Sequence, residues 1–350
     1  MKVKNRAYKA IKLMINAFMT LILFSGIIGA HTYIADKNIT DKIKSAGKND
    51  KNPSNWELKG KLSSNFSFTN NKNFVGQTDG SIYQFNIITE EEFNWRKEQH
   101  EILNSLQVKY GLSKTPQLED IFKSQDQFKY LGTYLFRLKQ IPWIGPFARL
   151  NFSTSLFPGY YVSPNDEDLV LNYADGPSMN IGTLEANKRY KLVDAFEPMT
   201  IRGNLGFFAN PYNQKELKLN LKFGTGFQKI IARDGFILAD ESDTSEIEFK
   251  QLEDSTEAGL EFEIDIAGAI NENMNWSFIA NLFFPLNDSD SNYDINGIDK
   301  MNTEIEGKFS SKISKIISLD YFIIVKRLPI IVDDWQIQNG AVVNVSYNLF

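Results

Sequence analysis

A chain of 350 residues with 42% hydrophobic and 23% charged residues can form one large domain or two ordinary ones, and a mean hydropathy of −0.31 excludes a bundle of apolar transmembrane helices. The 38 basic and 43 acidic residues leave a formal charge of −5, which argues against nucleic acid as a partner. Cysteine is absent, which excludes disulfides, thiolate zinc sites and lipid attachment at cysteine, while an aromatic content of 13%, mostly Phe and Tyr, favours strands.

Residues 1–30 read as a secretory signal. Lys2, Lys4, Arg6, Lys9 and Lys12 form a positive n-region, Leu13 to Ala30 is uncharged and apolar, and the segment closes on Ile-Gly-Ala. The apolar run is long and Ile28 stands where a small residue is usual, so an uncleaved anchor is the competing reading. Removal of this segment takes away basic residues only and leaves an acidic exported chain. Residues 31–55, rich in Lys, Asn and Asp and without periodicity, read as a periplasmic lead-in.

From Trp56 onward the governing signal is a period of two, which places alternate side chains on opposite faces of a strand. The first strand runs from Trp56 to Phe68, with Leu58, Leu62, Phe66 and Phe68 on one face and Lys59, Lys61, Ser63, Asn65 and Ser67 on the other. Tyr83, Phe85 and Ile87 mark a second, followed by a charged connection from about Glu90 to Glu98. Ile102, Leu106, Val108 and Tyr110 mark a third; Phe128, Tyr130, Tyr134, Phe136 and Leu138 a fourth; Ala148, Leu150, Phe152 and Leu156 a fifth. The stretch from Tyr160 to about Phe196 is polar and too long for an inert connection, with Leu169 to Leu171 as a short extra hairpin within it.

Met199, Ile201, Leu205 and Phe207 mark a sixth strand, ended by a turn at Asn210–Asn213. Leu217 to Phe227 is the clearest of all, with Leu, Leu, Leu, Phe, Thr and Phe alternating with Lys, Asn, Lys, Gly and Gly. An acidic loop to about Glu257 precedes an eighth strand at Leu260, Phe262, Ile264 and Ile266, and a ninth carries Trp276, Phe278, Ala280, Leu282 and Phe284. After the loop Asn287–Lys300 come a tenth at Ile305, Phe309 and Ile313, an eleventh from Ile317 to Val325, and a last from Trp335 to the terminus.

About twelve strands result, with 10 or 14 as the alternatives. Counted from a periplasmic N-terminus, the connections after strands 4, 6, 8 and 10 are short and those after odd strands longer, only the one after strand 2 breaking the rule. A soluble sandwich has no reason to sort its loops by parity. The expectation is therefore a transmembrane antiparallel up-and-down β-barrel over residues 56–350.

The terminal Phe350 on an apolar-alternating strand resembles the signal read by the outer-membrane barrel assembly machinery, although Tyr347 stands one residue early for the usual aromatic. Trp56, Leu106–Gly111, Lys123–Asp126 and Phe157–Tyr160 resemble an uncharacterised family of Gram-negative outer-membrane barrels, a domain of unknown function, over roughly Trp56 to Phe284. That resemblance implies the architecture and a place in the outer membrane; it brings no catalytic residues.

Histidine occurs only as His31 and His100, and His100 falls at the predicted periplasmic end, away from the rim where barrel hydrolases keep theirs, so an enzyme is not expected. Asp288, Asp290, Asn292 and Asp294 offer oxygens at alternate positions, as a calcium loop does. In the frame from Asn292, however, Thr303 occupies the place of the bidentate Glu, and a solvated loop is the favoured reading. No cofactor is expected.

The lumen carries the functional expectation. With apolar faces toward lipid, Lys129, Arg137, Arg149, Arg202, Lys218 and Lys222 point inward on strands 4–7, and Glu261, Glu263, Asp265, Glu304 and Glu306 on strands 8 and 10. Two such arcs either set a transverse field across a pore or fill it with ion pairs. The expected function is a passive channel or small-solute translocator, with outer-membrane lipids, the assembly machinery and small solutes or ions as partners. A closed barrel with ligand-binding or envelope-structural outer loops, and a periplasmic soluble β protein, are the alternatives.

Overall fold

The computed structural model describes residues 55–71, 80–214, 216–238, 246–286, 300–329 and 332–349. The signal segment, the lead-in up to residue 54, the Asp288–Asp294 loop and Phe350 lie outside them. In chain order the strands are β1 (Trp56–Asn71), β2 (Gly80–Lys97), β3 (His100–Lys114), β4 (Phe122–Phe136), β5 (Ile144–Thr154), β6 (Gly159–Val162), β7 (Glu167–Asn172), β8 (Met179–Leu184) and β9 (Arg189–Val193). They continue with β10 (Met199–Asn213), β11 (Lys218–Ile231), β12 (Phe236–Leu238), β13 (Ile247–Gln251), β14 (Ser255–Ala269), β15 (Met274–Pro285), β16 (Asn302–Lys312), β17 (Ile317–Leu328) and β18 (Val332–Asn348).

Twelve of these strands close an antiparallel barrel in the order β1-β18-β17-β16-β15-β14-β11-β10-β5-β4-β3-β2. Sequential neighbours pair throughout, apart from the insertions β6–β9 and β12–β13, and closure comes from β1 on β18, Lys61 opposite Asn348 through Asn65 opposite Asn344. The expected count and topology are thus observed. Closure leaves no open edge, so the barrel needs no water to satisfy its backbone.

The surface is inverted relative to a soluble sandwich. Leu205 and Phe207 are 65% and 64% exposed, whereas Asn204 beside them is 3% exposed. The same alternation leaves Leu58, Phe66, Phe85, Phe223 and Val343 outside and buries Asn65, Asn86, Gln107, Glu261, Glu263 and Asn344. Among the described residues buried polar side chains outnumber buried apolar ones. An apolar exterior around a polar interior is the chemistry of a barrel that spans a bilayer.

Three local expectations are corrected. The charged stretch from Glu90 is the second half of β2, because Glu90, Glu92 and Asn94 continue its inward face, and the real connection is the turn Glu98–Gln99 with Glu98 at φ 53°. Asn210–Asn213 is also strand: the register shifts between Ala209 and Tyr212, around Pro211, and the chain turns only after Asn213. The connection after strand 2 therefore obeys the parity rule, and the exception is the one after β17, where three residues separate Leu328 from Val332. Leu138, Leu156 and Ile313 fall just beyond β4, β5 and β16.

The long connections fold instead of hanging loose. Strands β12-β13-β7-β8 form a second sheet, with β13 parallel to β7, and β6 pairs with β9. Leu169, Leu171 and Phe249 are the buried centre of this head, with Tyr161, Ile181, Leu184, Tyr190, Leu192 and Phe236 around them. Sequence periodicity marked only Leu169–Leu171; the partners come from a connection more than 60 residues later. Both head segments leave the barrel at its long-connection end.

Two glycines shape the wall. Gly206 and Gly224 face each other across β10 and β11, and a Cβ on either would lie 2.2 or 2.1 Å from a carbonyl oxygen of the opposite strand. The two backbones approach too closely for any side chain there. Gly224→Ala is expected to lower barrel stability by about 1–3 kcal/mol in urea unfolding. Truncation of the head core by Phe249→Ala is expected to cost the head about 3–5 kcal/mol, seen as protease cleavage within residues 156–198 or 232–254 while the barrel keeps its heat-modifiable gel mobility.

Candidate functional site

Each strand places its functional side chains by the same two-residue period, so one inward face per strand supplies the lumen wall. A cavity of about 210 Å³ lies inside the barrel. Its lining includes all six predicted cations, Lys129, Arg137, Arg149, Arg202, Lys218 and Lys222, and four of the five predicted anions, Glu263, Asp265, Glu304 and Glu306. Glu261 does not line it but accepts hydrogen bonds from Arg149 and Asn204. The long connection 155–198 contributes no lining residue, and so does not plug this cavity.

The basic and acidic arcs meet. Arg149, on β5, passes β10 and β11 to place Nη1 on Glu263 and Nη2 on Glu261 of β14. Strand spacings of about 4.8 Å would put β5 and β14 roughly 14 Å apart on a flat wall, and the convergence of inward side chains in a closed barrel brings them within reach. Lys222 also holds Glu263 and stands 3.8 Å from Asp265. Lys326 pairs with Glu304 at 2.6 Å. Where these partners join, countercharge neutralises the arcs and does not keep them apart.

Several lumen residues escaped the sequence reading. Glu101, 2% exposed on β3, receives Arg137 Nε and Nη2 at 3.0 and 2.8 Å and also Arg96. Glu90 accepts from Lys61 and Gln107, both at 3.1 Å, and Lys308 pairs with Asp320 at 3.1 Å beside Asn344. Extending the period of two through Glu90, Glu92 and Asn94 would have found the β2 set. No periodicity marks the apolar cluster Leu135, Phe147 and Phe208, packed by Leu103 near the short-turn end, with the Arg137 guanidinium 5.3 Å from the Phe208 ring. These residues break the polar phase of the inner face.

His100 opens β3 at the short-turn end, its Nδ1 2.7 Å from the Tyr134 hydroxyl and its ring edge-on to Phe136. It is half-buried, packed against these two aromatic neighbours. No group of three or more His, Asp or Glu placed to hold a metal occurs among the described residues. In the head, burial, and then Tyr173, push the Tyr190 phenol above its ordinary pKa.

The fold and lumen together define the class: a closed, inverted, twelve-strand antiparallel barrel with a charged interior. A family described as a protein of unknown function (DUF3078) matches residues 76–160, which bears out the resemblance to an uncharacterised family over that part of the chain. No curated protein matches. Among solved structures, an outer-membrane channel from Pseudomonas putida F1 is similar at 9% identity, over 86% of this chain and 97% of its own, with a TM-score of 0.39. The translocator domain of the autotransporter NalP from Neisseria meningitidis gives 9%, 89%, 92% and 0.37, and the NanC porin 9%, 83%, 100% and 0.36.

Arg149 is 8% exposed and neutralises two buried carboxylates. Arg149→Ala is expected to destabilise the barrel by about 3–5 kcal/mol, read as a lower urea midpoint by tryptophan fluorescence.

Proposed function

We propose that this chain is an outer-membrane β-barrel that passes small polar solutes or ions through its charged lumen, with no chemical step. One observation carries this reading: an inverted barrel encloses a cavity lined by cations and anions alike, on a wall that a packed core would have filled with apolar side chains. Insertion by the barrel assembly machinery belongs to the same proposal. A second reading is a closed barrel whose outer head binds a ligand. It is favoured by the Arg149 bridge and by the separate apolar core of the head.

Planar-bilayer recording of the detergent-refolded chain distinguishes the two. Discrete, stable conductance steps are expected. Replacing Lys218 and Lys222 by Glu is expected to move the reversal potential in a salt gradient toward cation selectivity. Silence from a chain shown to be folded and inserted would leave the closed barrel.

A further inference from the structure

Most lumen charges whose contacts can be traced meet countercharge directly, as Arg149 meets Glu261 and Glu263, Arg137 meets Glu101, and Lys308 meets Asp320. Arg202 and Glu257 do not. Arg202, on β10, lines the cavity and donates from Nε at 2.9 Å and from Nη2 to a single acceptor, Oε1 of Gln228. Its guanidinium stands 5.8 Å from the centre of the Phe283 ring, and no carboxylate lies within ion-pair distance of it among the described residues. Glu304, which acts on Arg202 at longer range, is already held by Lys326 at 2.6 Å.

Glu257 explains why the arginine is held this way. Its carboxylate is 2% exposed and receives only amide donors, Gln228 Nε2 at 3.3 Å and Asn302 Nδ2 at 3.5 Å, both on Oε2. Its Oε1 has no partner among the described residues. The Gln228 amide has one workable orientation between the two charges, oxygen toward the guanidinium and NH2 toward the carboxylate. Gln228 thus separates a cation from an anion and presents the cation to the cavity. A guanidinium has five N–H donors, and here one amide oxygen takes what two of its nitrogens offer. Glu257 and Glu304 both act on Arg202 at longer range, and neither is in direct contact with it, unlike the paired charges around it.

Resting on the channel reading above, we infer that Arg202 is the anion-binding residue of the lumen, taking the oxyanion end of a small carboxylate- or phosphate-bearing solute. The planar fork suits such an oxyanion, and the Phe283 face keeps it flat. Gln228 is a positioning residue: its amide oxygen turns the fork, and its NH2 holds Glu257 on the far side.

Inorganic phosphate is the probe. Titrated into the detergent-folded full chain and followed by phosphorus NMR line broadening, it should bind saturably to the wild type, about tenfold or more weaker to Arg202→Gln, and within about twofold of wild type to Lys315→Gln, on the exposed turn between β16 and β17. Heat-modifiable gel mobility checks folding, and Arg202→Lys, which keeps the charge without the fork, replaces Arg202→Gln if that variant does not fold. Equal binding by wild type and the Arg202 variant, or no saturable binding by the wild type, overturns the assignment. Conductance of the same samples separates the two claims. A conducting barrel with unchanged phosphate binding sinks the Arg202 site alone, whereas phosphate binding lost in Arg202→Gln with no conductance in any sample sinks the channel reading alone.

Discussion

Closure is the constraint from which the rest of this structure follows. Once β1 pairs with β18, every barrel strand has two neighbours, and the backbone is satisfied by the wall itself. The side chains then decide which surface faces what. A period of two allows only two faces, so a chain that sends Leu205 and Phe207 outward must send Asn204 and Phe208 inward. The polar interior is the necessary complement of an apolar exterior, and the cost of that polarity has to be met inside.

Ion pairing meets most of it, and the wall is shaped to allow this. Arg149 reaches two carboxylates three strands away because inward side chains converge inside a closed barrel. Around Arg202 the same accounting does not close, because an amide stands where a carboxylate would be expected. That departure, more than the number of charges, makes one part of the lumen chemically distinct.

The head follows a different logic outside the barrel. Its strands come from two connections far apart in sequence. Parallel pairing of β7 with β13 brings Leu169 and Leu171 against Phe249, which is fully buried. The polar composition that read as loop is the solvent face of these short strands. Likewise the acids from Glu90 to Glu92 read as a connection because a lumen face and a solvated loop have the same composition; only the phase of the flanking Phe85, Ile87, Phe93 and Trp95 distinguishes them.

The sequence by itself determined a count of about twelve barrel strands and the antiparallel meander, because both depend on a local period. It could not determine which cation meets which anion. Arg149 and Glu263 are 114 residues apart, and their contact depends on the closure of the sheet around them. Nor could it tell that Arg202, identical in type to Arg149 and equally inward, faces Gln228. Register across strands, a property of the closed sheet, decided between paired charge and charge left for a solute.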